Sequence, residues 1–565
     1  MCGIFTILNY LCSGHDEPFH EENFMKSKNR GPDNSRFKAF DFYNYLIGFH
    51  RLCINGLDDI SNQPIIYDKI ILMCNGEIYN YKDIYNSLDI KPTTNSDCEV
   101  IIHLYLKFKD INYVLNLLDG VFSFVLFDFN DNIPICYVAR DPFGVRPLYN
   151  IIDNDDFTYG FSSELKSLSQ YSSERYNVKQ FEPATYSCFH FKNSLWFLKI
   201  NNCNYTQYGF SSVLKRYTIE DKPTEDIYES IRINFLNAVI KRVKNTDRPV
   251  ACLLSGGLDS SLVASIVNII HKAIHNKPVE TYSIGLPNSP DLKYAKICAD
   301  YIGSKHNEYV ISEDAFFNSI PEVIYNIETY DTTTVRASVG NYLIAKYISN
   351  NSNAKVIFNG DGSDELMGGY LYFKNAPNNL EFDFECRRLL KDIHLFDVLR
   401  SDRSISTNGL EPRTPFLDRA FTQYYLSIDP SIRFNANKTC EKYLIRKAFN
   451  IPFNYKIDNL IINTMNKNIL PDDVLWRKKE AFSDGVSNEA RSWHEIIKEK
   501  IDLIKNDYSL TGNMVINNTT LSLEQEYYFK LFKENYKNDL YQTIPYYWMP
   551  KFVNATDASA RTLNL

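Results

Sequence analysis

From Val250 the chain reads V-A-C-L-L-S-G-G-L-D-S-S, an apolar run cut off by two glycines, an Asp and serines. Leu262, Val263, Ile266, Val267 and Ile270 follow at spacings that put them on one helical face. The pattern predicts a strand, a tight glycine turn and a helix N-terminus. Further strand-like runs at residues 280–284, 309–311 and 355–358 alternate with helical patterns. Such alternation predicts a parallel sheet covered by helices on both faces, with ligands at the strand C-terminal ends. In the N-terminal third, short runs at residues 70–73, 121–127 and 135–138 instead suit antiparallel sheets. Residues 201–226 are polar without clean periodicity and read as a linker.

Length and composition narrow the field. A chain of 565 residues exceeds one core, so at least two domains are expected. A net charge of −8 with no long basic run argues against nucleic acid as the main partner. No window approaches a membrane span, and no basic, then apolar leader opens the chain. The twelve cysteines are scattered without a C-x-x-C pair, so they read as reduced cytoplasmic thiols. His494-Glu495 begins like a zinc helix, but residue 498 is Lys and H-E-x-x-H fails.

The glycine turn aims backbone N–H groups and a helix N-terminus at one point, a ready site for phosphate. No G-x-x-x-x-G-K-[ST] occurs, so the site lacks the usual phosphate-binding lysine. A second strand-end motif, N-G-D-G-S-D-E over residues 359–365, adds an acidic cluster; Glu365 in place of a third glycine excludes a dinucleotide fingerprint. Asp259 and Asp364, one from each loop, are positioned to clamp Mg²⁺ on a triphosphate. At the other end of the chain, removal of Met1 would leave Cys2 with a thiol and a free α-amine, a nucleophile carrying its own base.

The S-G-G-L-D-S-S string resembles the pyrophosphate loop of ATP pyrophosphatases, which cleave ATP between its α- and β-phosphates. Met-Cys-Gly, Arg30-Gly-Pro-Asp33, His50-Arg-Leu52, Cys74-Asn-Gly-Glu-Ile-Tyr79, Ser96-Asp97 and the stretch from Arg140 to Tyr149 together resemble the class II, N-terminal nucleophile glutamine amidotransferases. Glu328-Thr-Tyr-Asp-Thr-Thr-Thr-Val-Arg336, Gly409-Leu-Glu-Pro-Arg-Thr-Pro-Phe-Leu-Asp418 and Leu475-Trp-Arg-Lys-Lys-Glu480 extend the likeness to the glutamine-hydrolysing asparagine synthetase family.

That resemblance implies an α+β glutaminase domain of layered antiparallel sheets between helices over residues 2–200. An α/β ATP-pyrophosphatase domain with a parallel sheet would span 227–530, with a tail over 531–565. It also implies roles. Cys2 would be the nucleophile, and Asn75 and Gly76 would supply the oxyanion donors. Arg51, Leu52, Glu77 and Asp97 would join Asn75 and Gly76 in binding glutamine. Leu254, Ile284, Asn359 and Gly360 would line the nucleotide pocket, and Ser255, Gly256, Gly257, Asp259, Ser260 and Ser261 would hold phosphates. Lys479 would neutralise departing pyrophosphate, and Thr333, Thr334 and Arg336 would bind aspartate. The implied substrates are glutamine, aspartate and ATP with Mg²⁺, in a homodimer.

Relatives read Ser-Gly-Glu-Gly-Ser-Asp where this chain has Asn359-Gly-Asp361-Gly-Ser-Asp. The acid/base carboxylate at 361 is kept but is one methylene shorter. The first rival is another amidotransferase of the same two-domain build with a different carboxylate acceptor, against which the Thr-Thr-x-Arg cluster favours aspartate. β-Lactam synthetases share the loop but typically lack the nucleophilic cysteine. Phosphoribosyl- and fructose-phosphate amidotransferases share only the first domain. A non-catalytic homologue would bind ligands without turnover.

Overall fold

The computed structural model describes residues 1–152, 157–171, 178–206, 224–434, 440–457, 459–465, 467–480, 482–487, 491–516, 519–536, 540–541 and 548–555. Most of the expected linker, and the end of the chain from 556, lie outside these.

Twelve strands make two antiparallel sheets. One has the order β10 (Lys179–Gln180), β8 (Tyr149–Ile152), β9 (Tyr159–Ser162), β1 (Gly3–Leu8), β3 (Tyr45–Arg51), β2 (Asn34–Phe40). The other runs β12 (Leu195–Asn204), β11 (Thr185–Lys192), β7 (Ile135–Arg140), β6 (Gly120–Asp128), β5 (Ile70–Ile78), β4 (Ile65–Tyr67). Alternate side chains point to opposite faces of a strand, which explains the layering. Ile4 and Leu8 of β1 meet Met73, Val125 and Val138 between the sheets. Leu72, Cys74 and Phe124 face outward, under the helix Val100–Phe108. Phe5 and Ile7 belong instead to a core shared with the second half of the chain.

That half is built on a parallel sheet ordered β15 (Lys305–Val310), β14 (Glu280–Gly285), β13 (Val250–Leu253), β16 (Val356–Phe358), β17 (Glu411–Arg413). Cys252, Val356 and Phe358 pack with Leu262 and Ile266 of the helix Leu258–His275. Ala251 and Ile357 pack with Val335 and Val339 of the helix Thr332–Asn351. Both faces are therefore buried, as a parallel sheet requires. The strand expected at 309–311 lies earlier and is longer. As the sheet's edge it holds only exposed and half-buried residues, K-H-N-E-Y-V, so an apolar run does not mark it.

Candidate functional site

Cys2 stands at the start of β1, where its thiol donates to the Leu52 carbonyl at 3.8 Å and its own carbonyl accepts from Arg30 Nε at 2.9 Å. Burial pushes the thiol up to about 11. In the chain as translated, the Met1 amine is buried against the Leu410 carbonyl at 3.3 Å, and burial lowers it to about 5. Neither group is charged at neutral pH.

Asn75 and Gly76 lie mid-strand on β5, paired with Ser123 and Phe122 of β6. A Cβ at residue 76 would meet the Val121 carbonyl at 2.3 Å, so only glycine permits this approach. Asn75 is fully buried, yet neither its amide nitrogen nor its oxygen has a hydrogen-bond partner among the described residues. A buried amide left unpaired is costly, and it offers an acceptor-seeking donor in this layer.

Arg51 is anchored by Asn62 Oδ1 at 2.7 Å and by the carbonyls of Asn55, Gly56 and Asp58. Leu52, besides its carbonyl on the Cys2 thiol, is buried. Glu77 accepts from Asn55 Nδ2 at 2.6 Å and Asn245 Nδ2 at 2.9 Å, and it forms an ion pair with Arg413 Nη2 at 3.2 Å. Asp97 takes the Ile78 N–H at 2.6 Å. Burial, with Asp97 and Glu411 close by, raises Glu77 well above the usual carboxylate range; burial raises Asp97 to about 6. Two such carboxylates favour a bound cation, and the α-ammonium of an amino acid is one.

The second site opens at the C-terminal ends of β13, β14 and β16, where one cavity is lined by Leu254, Ser255, Gly257, Asp259, Ser260, Ile284, Thr333, Thr334, Asn359, Gly360, Asp361, Asp364 and Lys479. The Ser255 and Ser260 hydroxyls are 3.0 Å apart. A Cβ on Gly360 would meet Asp259 Cβ at 2.8 Å, so the second loop closes directly on the first. Asp361 accepts from Asn359 Nδ2 at 2.7 Å and Arg400 at 3.0 Å. Burial and neighbouring Asp397 raise it to about 6 against the opposing pull of Arg400.

Asp259 Oδ2 and Asp364 Oδ1 each lie 2.5 Å from the buried Lys442 ammonium, and Lys479 Nζ lies 2.5 Å from Asp364 Oδ2. Burial alone would raise Asp364; the two lysines hold it well below its usual range. The two acids thus already converge on a cation, and hard oxygen donors of this kind fit Mg²⁺. Among the described residues no group of three or more His, Cys, Asp and Glu could hold a metal, so phosphate oxygens and water must complete such a site.

Three expected ligands do not line the cavity. Arg336 forms a bidentate pair with Glu524, Nε to Oε1 at 2.8 Å and Nη2 to Oε2 at 2.6 Å, with His494 Nδ1 2.7 Å away. The stripe facing the cavity is Thr333, Thr334, Ala337, Asn341 and Ile344; Arg336 sits on the helix flank, about 100° per residue setting the offset. Ser261 is fully buried one turn into its helix. Gly256, at φ +72, takes a left-handed turn whose Cβ position is occupied by Tyr294 and Ala295 of the helix Pro290–Ile302. It permits close packing there.

Other cavity residues carry no local signature in the sequence. Lys442 precedes a short helix, Arg400 sits in a helix far along the chain, and Trp548 falls in the expected tail. Arg477 is different. It lies within the W-R-K-K-E string and pairs with Asp291 at 2.9 Å, so its neighbours pointed to it.

Comparison with known proteins accords with both halves. The family described as Glutamine amidotransferase domain matches residues 1–210, and the family described as Asparagine synthase matches residues 230–388 and 374–515. The chain is 39% identical to the asparagine synthetases [glutamine-hydrolyzing] of Gallus gallus, Mus musculus and Homo sapiens. Each match covers 100% of this chain and 98% of the relative. With one cavity at the end of a parallel sheet and a cysteine at the head of the antiparallel layers, the chain belongs to the glutamine-hydrolysing asparagine synthetase family.

Proposed function

We propose that this protein makes L-asparagine from L-aspartate and ATP, with L-glutamine as nitrogen donor, releasing AMP, pyrophosphate and glutamate. The observation that carries the reading is the cavity at residues 254–260 and 359–364, where an anion-binding turn, two acids and two lysines meet Thr333 and Thr334.

At the first site, the Cys2 amine freed by loss of Met1 takes the thiol proton, and sulfur attacks the glutamine side-chain amide. Asn75 Nδ2 and the Gly76 N–H stabilise the oxyanion, and Arg51, its Nη groups held by Asn55, Gly56, Asp58 and Asn62, attracts the α-carboxylate by its charge. Glu77 and Asp97 take the α-ammonium. The Cys2 amine returns the thiol proton to the amide nitrogen as the C–N bond breaks, ammonia leaves, and water hydrolyses the resulting thioester.

At the second site, the aspartate β-carboxylate displaces pyrophosphate from the α-phosphate, giving β-aspartyl-AMP. The Ser255–Ser260 turn cradles phosphate, and Lys479 offsets the charge on the departing pyrophosphate. Mg²⁺ held by Asp259 and Asp364 would neutralise triphosphate charge when bound. Ammonia then attacks the acyl carbon; its proton passes to Asp361 as the C–O bond to AMP breaks. Attack needs unprotonated ammonia, so a path between the sites closed to bulk water follows from the chemistry.

Cytoplasmic action accords with twelve free cysteines, and light scattering tests the implied homodimer. The deciding assay follows pyrophosphate and asparagine from ATP, Mg²⁺ and aspartate, with glutamine or ammonium as nitrogen source. Product with both supports the paired sites; product with neither overturns the reading.

A further inference from the structure

Trp548 belongs to the end of the chain, yet it is a wall of the synthetase cavity and only 7% exposed. Its main-chain N–H donates to Asp331 Oδ1 at 3.2 Å. The other oxygen of that carboxylate accepts from the Thr334 N–H at 2.8 Å and the Thr334 hydroxyl at 2.6 Å, capping the helix Thr332–Asn351. One carboxylate therefore fixes both Trp548 and the threonine wall. The indole ring packs on Tyr370 and Tyr372, at centroid distances of 5.1 and 6.0 Å, and the Tyr370 hydroxyl donates to Glu365, beside Asp364. Phe552 reaches Tyr372, and Lys551 pairs with Glu381 at 3.4 Å, so the segment is tied down beyond the indole.

Two polar atoms at this wall are left over. The Trp548 Nε1–H and the Thr333 hydroxyl are buried, and neither has a hydrogen-bond partner among the described residues. Both belong to cavity-lining side chains. A buried indole N–H is a donor only and normally finds an acceptor. Arg336, the cation expected to receive the acceptor substrate, is committed to Glu524.

We infer that Trp548 is part of the amino-acid acceptor subsite, its indole N–H donating, alongside the Thr333 hydroxyl, to a carboxylate oxygen of the dicarboxylic amino acid. Trp548 thereby adds, from near the end of the chain, a specificity-determining wall to a subsite whose threonines lie more than two hundred residues earlier. This inference rests on the proposed synthesis of asparagine in the same cavity.

The test compares the full-length protein with Trp548→Phe, which keeps an aromatic ring and loses the N–H, and with Trp548→Ala. Ammonium serves as nitrogen source, so supply from the first site does not enter. Trp548→Phe is expected to raise the KM for aspartate about tenfold, the size of one hydrogen bond to a charged oxygen. The KM for ATP and glutamine hydrolysis should stay unchanged. Trp196 and Trp493 are fully buried, and Trp476 packs on Tyr443 without lining the cavity. In a Trp476→Phe background, an aspartate-dependent change in indole emission, measured with an ATP analogue resistant to cleavage, should therefore be largely lost on adding Trp548→Phe.

A KM for aspartate within twofold of wild type in both variants would overturn the assignment. So would a rise confined to the KM for ATP, which would move the N–H to the nucleotide. Joint loss of glutaminase activity and thermal stability would reduce Trp548 to a packing residue. If wild type makes no asparagine from ammonium, the proposed reaction fails instead, and the emission change with aspartate still reports on Trp548.

Discussion

Asn359 donates its side-chain amide to Asp361 Oδ2 at 2.7 Å, so the two positions at which this loop departs from its relatives are bonded to each other. The same amide also donates to the Ser401 hydroxyl at 2.7 Å, and Arg400 holds the other Asp361 oxygen. A carboxylate shortened by one methylene is thus held from two sides, and Asn359 positions the group expected to take the proton from ammonia.

Asp361 sits at about 6 because burial and Asp397 outweigh Arg400. As a base it must be ionised. At fixed free ammonia, synthesis should therefore fall as pH drops through about 6. Asn359→Ala removes a donor to the charged form, so Asp361 should titrate higher and the acidic limb should move to higher pH. Asp361→Asn should cost on the order of 100-fold in ammonium-driven kcat, with glutamine hydrolysis intact. A pH–rate profile with an unmoved limb in Asn359→Ala would remove Asn359 from this role.

Cys2 and Met1 make a second expectation. While Met1 stays, burial holds the thiol at about 11, and the α-nitrogen of Cys2 is tied up in a peptide bond. Glutamine-driven synthesis should therefore scale with the fraction of chains that have lost Met1, read by intact mass. Cys2→Ala should abolish glutamine-driven synthesis and leave the ammonium reaction at wild-type rate. Full glutaminase activity in a preparation that retains Met1 would contradict the amine's part.

How far these sites were legible depended on contiguity. S-G-G-L-D-S-S and N-G-D-G-S-D each bring strand, turn and ligands within one short stretch, so their placement at neighbouring strand ends followed from periodicity. The nucleophile and its expected oxyanion donors were similarly local. Lys442, which stands between Asp259 and Asp364, comes from a stretch with no motif of its own, and only tertiary packing brings it there. The orientation of Arg336 in Thr-Thr-x-Arg was not legible for a related reason. Spacing placed Arg336 near the threonines on one helix, but its partner Glu524 lies 188 residues away and decides where the guanidinium points. Trp548 was hidden by its position near the end of the chain.

Lys442 gives a prediction about stability. Its side chain is 1% exposed and bridges two acids of opposite loops. Lys442→Met should leave both carboxylates facing one another and cost about 3 kcal/mol, the scale for breaking a buried ion pair. Mg²⁺ should then restore part of that loss, because a cation again lies between the oxygens. Urea denaturation with and without MgCl₂ measures both effects. A midpoint insensitive to Mg²⁺ in the variant would argue against Asp259 and Asp364 as a metal clamp.

Asn75 separates function from stability most cleanly. Its amide is fully buried and neither polar atom is partnered among the described residues, so the folded state already bears the cost of desolvating it. If Asn75 were structural, truncation should destabilise the protein. If it is an oxyanion donor, Asn75→Ala should lower glutaminase kcat by about 100- to 1000-fold. Thermal stability should then hold or rise, because an unsatisfied buried group has been removed. The KM for glutamine should change little, since the amide acts on charge that develops only in the transition state. Ammonium-driven synthesis, which bypasses the first site, should be unaffected. Paired melting curves and glutaminase assays on the one variant decide it: a lower melting temperature with unchanged kcat would make Asn75 a packing residue, and the opposite pattern places it at the oxyanion.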